Sequence, residues 1–208
     1  MNELWSYVAG NIYISCVSLS AVFCYGAFSV LQFLVTFQMS AYLRVLQNRI
    51  ETNGPRDKQI YYHHKTIIEL LNEYNVLFSG VMYQEVVTAS LQPCGYGYAI
   101  IKAIKSKDTA AFDLVYKILV STSGPFIMCA CGEEINQQVE KLHESSYSCK
   151  WYEEEPKVRR DIFTMMLITT RPITVNYRLF IAFNLPCFAT ISKGFYSYLT
   201  MIINFDEN

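Results

Sequence analysis

The chain has 208 residues, of which 52% are hydrophobic and only 17% charged, and its formal net charge is −1. Without a basic stripe it lacks the phosphate-neutralising charge that nucleic-acid binding requires, so no nucleic-acid partner is expected. The mean hydropathy of +0.17 is modest for a chain made only of membrane spans, so substantial polar helix must lie outside them.

The first element is an apolar segment from about Val8 to Phe37. No Lys, Arg, Asp or Glu occurs between Glu3 and Arg44, whereas about 20 residues suffice to cross a ~30 Å hydrocarbon core. The start, Met-Asn-Glu-Leu-Trp, has no basic region, and the apolar stretch after it is too long for a signal peptide. Beyond the loop Thr52-Asn-Gly-Pro55, the segment IYYHHKTIIELLNEYN places Ile60, Ile67, Leu71 and Tyr74 at helical spacing and runs without a breaker into a second apolar segment, about Val76 to Ile101. The third runs from about Leu114 to Cys131, with a kink expected at Gly124-Pro125. Two further stripes follow, Ile135, Val139, Leu142 and then Ile162, Met165, Met166, Thr169, the second ending at Arg171-Pro172. The fourth apolar segment runs from about Ile173 to Phe205.

Four spans in one domain, 1–208, make an all-α, polytopic membrane protein, with spans at about 8–37, 76–101, 114–131 and 173–205. The segments 38–75 and 132–172 are read as long helices that leave the bilayer and pack as an anchor bundle. Arg44, Arg49, Arg56, Lys58 and Lys65 follow the first span, and Lys141, Lys150, Lys157, Arg159, Arg160 and Arg171 follow the third. Only Lys102, Lys105 and Lys107 lie between the second and third. The basic side is cytoplasmic, which puts 38–75 and 138–172 inside and both termini outside.

Enzyme signatures are absent from the sequence: there is no P-loop, no G-x-S-x-G and no H-E-x-x-H. No cofactor and no metal site is expected. His63 and His64 point ~100° apart on a helix and are read as a solvated cytoplasmic face. Seven cysteines, mostly in apolar runs, do not suggest a disulfide framework, and Cys129-Ala-Cys131 reads as small packing residues. Gly95-Tyr-Gly97 is read as letting helices approach closely, and Glu153-Glu-Glu155 as a solvated helix start. Glu85 and Lys193 lie inside spans and need water, a partner or an interface.

Tyr147-Ser-Cys-Lys-Trp-Tyr152, the Met-rich stretch, Arg171-Pro-Ile173 and the closing Phe195-Tyr-Ser-Tyr198 together resemble the insect odorant receptor family. That family has seven spans and an intracellular N-terminus, so the four spans here resemble spans four to seven of a chain lacking the first three. The resemblance implies a plasma-membrane subunit of a ligand-gated cation channel in olfactory neurons, assembled as a tetramer with an obligate co-receptor. It implies a small, volatile, apolar odorant as ligand. It also implies that the last span lines the pore, with Ser197, Tyr198, Met201, Asn204 and Phe205 at or near its gate: Met201 and Phe205 are four residues apart on one helical face and Asn204 is adjacent. With the first span descending from outside, Tyr13, Cys16, Tyr96, Tyr98 and Tyr116 fall in the outer halves of the first three spans and are the expected odorant contacts. Two other readings stay open. Ser197-Tyr198 and Asn204-Phe205 also fit the spacing of a gustatory-receptor-like channel subunit, and a truncated chain fits a non-conducting membrane scaffold.

Overall fold

The computed structural model describes the backbone of residues 2–105, 110–170, 175–177 and 181–206. Five helices dominate these residues: α1 (Asn2–Asn53), α2 (Lys58–Lys105), α3 (Ala110–Ser148), α4 (Pro156–Thr170) and α5 (Leu185–Asp206). A short 3-10 turn, Trp151–Glu153, precedes α4, and strands β1 (Asn176–Tyr177) and β2 (Ile181–Ala182) pair antiparallel before α5. The fourth apolar segment is therefore not one helix from Ile173. Helix starts only at Leu185, where Asn184 caps it by accepting the Cys187 amide on Oδ1 at 3.0 Å. The Arg171-Pro-Ile173 motif and the loop around Thr109 lie outside the described residues.

The chain forms two compact units, Met1–Val35 and Thr36–Asn208. In the first, the large apolar side chains that include Ile12, Tyr13, Val22, Phe23 and Phe33 are exposed. A helix that is apolar all round, with no protein covering it, has hydrocarbon as its matching solvent. By length and composition, two helical segments among the described residues suit a membrane crossing, Tyr7–Asn53 and Phe112–Ser148.

Most of the buried apolar residues of the second unit lie in segments 38–75 and 132–172, the ones expected to leave the bilayer. Leu43, Leu46 and Ile50 of α1 are buried, as are Ile60, Ile67, Leu71 and Tyr74 of α2. So are Ile135, Val139 and Leu142 of α3, and Ile162, Met165, Met166 and Thr169 of α4. These positions advance by three and four residues, the spacing that keeps one stripe of a helix facing its neighbours. At ~1.5 Å per residue, the 48 residues of α2 reach about 70 Å and the 39 of α3 about 60 Å. Each is about twice a hydrocarbon core, so the rest of each helix must find a protein partner.

Polar bonds fix the bundle's register. Glu134 Oε1 accepts from Ser40 Oγ at 2.9 Å, Arg44 Nη2 at 3.0 Å and Gln138 Nε2 at 2.9 Å. Gln47 donates to the Gln138 carbonyl at 2.8 Å, and Arg56 pairs with Glu154 at 2.6 Å. Glu154, read as solvated, is thus an ion-pair partner. Burial alone would push the Glu134 carboxyl up, but the bonds from Gln138, Ser40 and Arg44 outweigh it and hold the group below its ordinary value.

His64 is the clearest correction. His63 is exposed as expected, but His64 is only 5% exposed. It stands four residues after Ile60 and three before Ile67, within the buried stripe, and its Nε2 has no hydrogen-bond partner. Burial lowers its pKa to about 4, so the ring is neutral at physiological pH.

Candidate functional site

The residues expected to carry function divide between α5, the first half of α1, the last part of α2 and the first part of α3. Helix α5 is tied down on one side at three places. Phe188 meets Phe126 of α3 edge-on, with ring centroids 5.3 Å apart. Leu199 lies against α2, where a Cβ placed on Gly97 would come within 2.9 Å of its Cδ1. Immediately before α5, the carbonyl of Phe183 occupies the space that a Cβ on Gly132 of α3 would need. Phe183 itself is fully buried, and its amide donates to the Val175 carbonyl at 2.9 Å. The hairpin before α5 is docked on α2 in turn. Asn176 donates its amide to Asn75 Oδ1 at 3.1 Å, and Tyr177 stacks on Tyr83 at 4.4 Å.

The other side of α5 is open. Ser197, Tyr198, Met201, Asn204 and Phe205 are all exposed, Met201 by 49% and Phe205 by 77%. They recur every three to four residues and form one stripe, and Met201 points ~200° away from Leu199. The five gate candidates therefore share an exposed face, while the face carrying Leu199 is packed. An exposed stripe holding both Met201 and Phe205 calls for lipid, another subunit or a pore to cover it.

The ligand candidates are more scattered. Tyr13 and Cys16 lie three residues apart on the first unit, on one helical face, and both are exposed. Tyr96 and Tyr98 are half-buried on α2 but point ~200° apart, so they do not share a face. Tyr96 is close enough to α3 to interact electrostatically with Lys117, the neighbour of the exposed Tyr116. Of the glycine pair beside them only Gly97 brings helices together, since nothing stands within 4 Å of a Cβ on Gly95.

Two grooves open on the outside of the bundle. One, of about 440 Å³, lies between the end of α1 and the start of α2 and includes Tyr42, Val45, Arg49, Tyr62 and Leu70. The other, of about 550 Å³, lies between α2 and α4 and includes Tyr61, His64, Glu69, Asp161 and Thr164. Tyr61 donates to the Pro55 carbonyl at 2.8 Å, and burial with the nearby charge of Asp161 raises its pKa to about 12. Sequence reasoning missed these contacts. Helical spacing on α2 would have revealed His64.

A family model described as 7tm Odorant receptor matches residues 1–196. Among similar proteins, Odorant receptor 2a of Drosophila melanogaster is 27% identical over 128 residues, 62% of this chain and 32% of that one. Odorant receptor 47a of the same species is 20% identical over 213 residues, covering 99% of this chain and 54% of the relative. Among solved structures, the insect olfactory receptor OR5 from Machilis hrabei in complex with eugenol is similar with a TM-score of 0.71 and 20% identity, covering 85% of this chain and 46% of that one. The structure of the same receptor described without eugenol gives a TM-score of 0.67 at 16% identity. The chain thus spans from about a third to a little over half the length of the relatives it matches.

Proposed function

The chain belongs to the 7tm odorant receptor family, and from that premise we propose that it is a subunit of an odorant-gated cation channel whose conduction path is lined by α5. The observation that carries this reading is the two-sidedness of α5. One face is fixed to α2 and α3 through Leu199 and Phe188, and the other carries Met201, Asn204 and Phe205 as exposed residues. Four such helices around an axis would place an apolar constriction, which closes by dewetting, beside a ring of amides that hydrated cations can use.

The rest of the proposal follows from charge and exposure. The Lys/Arg excess in 38–75 and 138–172 supports a multi-pass plasma-membrane orientation with those segments cytoplasmic and both termini of this chain outside. The grooves and exposed apolar residues on the bundle's outer face, Tyr42, Val45 and Tyr62 among them, are surfaces suited to a neighbouring subunit. That neighbour is proposed to be the odorant co-receptor, in a tetramer. The odorant is proposed to be small, volatile and largely apolar, as eugenol is for the solved receptor of similar fold. Tyr96 and Tyr116, on the neighbouring helices α2 and α3, are the first residues to test for odorant contact. Tyr13, Cys16 and Tyr98 are tested separately.

The experiment is whole-cell recording from cells that co-express this chain with a co-receptor subunit, against a panel of volatile aromatics that includes eugenol. An odorant-evoked cation current that requires this chain is the expected result. Surface expression and co-purification without any such current would identify a non-conducting scaffold instead.

A further inference from the structure

Along one face of α3, positions 126, 129 and 132, each three residues apart, face residues 183–188, the approach to α5 and its first turn. Phe126 packs against Phe188 at the first, and Gly132 admits the Phe183 carbonyl at the third. Between them lie Cys129 of α3 and Cys187 in the first turn of α5, close enough for the two thiols to interact. The pair is thus held by a contact on either side, and the Cys187 backbone is further fixed by the hydrogen bond that its amide donates to Asn184 Oδ1 at 3.0 Å. Both thiols are free. Cys129 is fully buried, whereas Cys187 is partly open. Cys131, two residues on, points ~200° away from Cys129 and bonds to Thr36 instead.

We propose that Cys129 and Cys187 form a reversible redox site, at which a peroxide converts the two thiols into a disulfide that fastens α3 to the first turn of α5. Cys187 is the accessible member. As the thiolate it attacks the O–O bond of the peroxide, becomes a sulfenic acid and releases the first water. The Cys129 sulfur then attacks the Cys187 sulfur and expels its hydroxyl as a second water. Two thiols and one hydrogen peroxide give one disulfide and two waters, with two electrons passing from sulfur to peroxide. A dithiol reductant reverses the step. The disulfide needs a sulfur–sulfur separation of about 2.05 Å, and the contacts at Phe126 and Gly132 hold the two backbones together on either side of the pair.

A covalent tie at Cys187 removes freedom from the base of α5, ~21 Å along the helix from Met201. Its effect on current rests on the conducting role proposed above, but formation of the bond does not.

The test treats membranes containing the whole chain with hydrogen peroxide, blocks remaining thiols with N-ethylmaleimide, digests the protein and maps it by mass spectrometry. A peptide linking Cys129 to Cys187, lighter than its two parts by two hydrogens and lost with dithiothreitol, is expected. It should be absent from Cys187→Ser. In Cys129→Ser, the Cys187 sulfenic acid should instead accumulate and react with dimedone. Recovery of Cys129 as an alkylated thiol and Cys187 as sulfinic or sulfonic acid in the native chain, at peroxide concentrations that also oxidise the exposed Cys16 and Cys24, would overturn the proposal. In recordings, peroxide should alter the odorant-evoked current of the native chain and not that of Cys187→Ser. A linked peptide with unchanged current would leave the redox site standing and count against conduction along α5.

Discussion

Alanine at three helical glycines is the same substitution in three surroundings. In a helix, alanine is favoured over glycine by ~1 kcal/mol. At Gly95 nothing stands within 4 Å of the new Cβ, so Gly95→Ala should keep that gain. At Gly97 the new methyl would come within 2.9 Å of Leu199 Cδ1 and 3.2 Å of its Cδ2, which are the movable ends of a side chain. Overpacking costs ~1–3 kcal/mol, so Gly97→Ala should lose ~0–2 kcal/mol net. At Gly132 the obstacle is backbone, the Phe183 carbonyl, on a residue that is fully buried and whose amide donates a hydrogen bond to the Val175 carbonyl. Moving it forfeits a hydrogen bond worth ~1 kcal/mol in addition to the upper end of the overpacking cost, for a net loss of ~3 kcal/mol. For a chain of this size that corresponds to a fall of roughly 6–12 °C in thermal midpoint. The assay is thermal survival of the detergent-solubilised protein by size-exclusion fluorescence, at one fixed heating rate because membrane proteins often unfold irreversibly. The order expected is Gly95→Ala at or above the native chain, then Gly97→Ala, then Gly132→Ala. Native-like stability of Gly132→Ala would refute the packing against α3 described above, and a Gly95→Ala less stable than Gly97→Ala would refute that of α5 against α2.

Because burial holds folded His64 near pKa 4, against 6.5 ordinarily, the unfolded chain takes up this proton first as the pH falls. Stability present above pH 6.5 should therefore be lost between 6.5 and 4, by up to ~3 kcal/mol, and His64→Met should flatten that part of a melting-point profile while raising the plateau. Leu71→Asp with Leu142→Asp, which places carboxylates in the bundle core, should abolish folded protein altogether. Val45→Asp with Tyr62→Asp, on the outer groove, should leave a monodisperse chain that no longer co-purifies with the co-receptor. A glycosylation acceptor introduced near Thr109 should be modified and one near Thr52 should not, and the reverse pattern would invert the proposed orientation.

Much of the bundle is legible in the sequence because its physics is periodic. The stripes at Ile60, Ile67, Leu71 and Tyr74, at Ile135, Val139 and Leu142, and at Ile162, Met165 and Met166 all turn inward. Those side chains are spent on the chain's own core, so contacts with another subunit must come from outward residues such as Val45 and Tyr62. His64 was misread because the pair His63-His64 was judged by polarity, although a three-four spacing assigns the two residues to opposite environments. The start of α5 was misread because Asn176 to Phe183 is apolar enough to extend a span. Its hairpin depends on contacts with Asn75 and Tyr83, about 100 residues away, which no local pattern encodes. The open stripe of Met201, Asn204 and Phe205 was readable from spacing, but which face of α5 is packed depends on Gly97 and Phe126, again remote in sequence.

The central claim is that this stripe faces permeating ions, and Asn204→Asp tests it most directly. A carboxylate beside a pore attracts cations, and divalent ones most strongly. Recorded with a co-receptor, the variant should show a reversal potential shifted toward greater calcium permeability relative to sodium, at unchanged odorant sensitivity. An unshifted reversal potential at normal surface expression and normal odorant-evoked current would show that α5 presents this face to lipid or to another subunit and not to the conduction path.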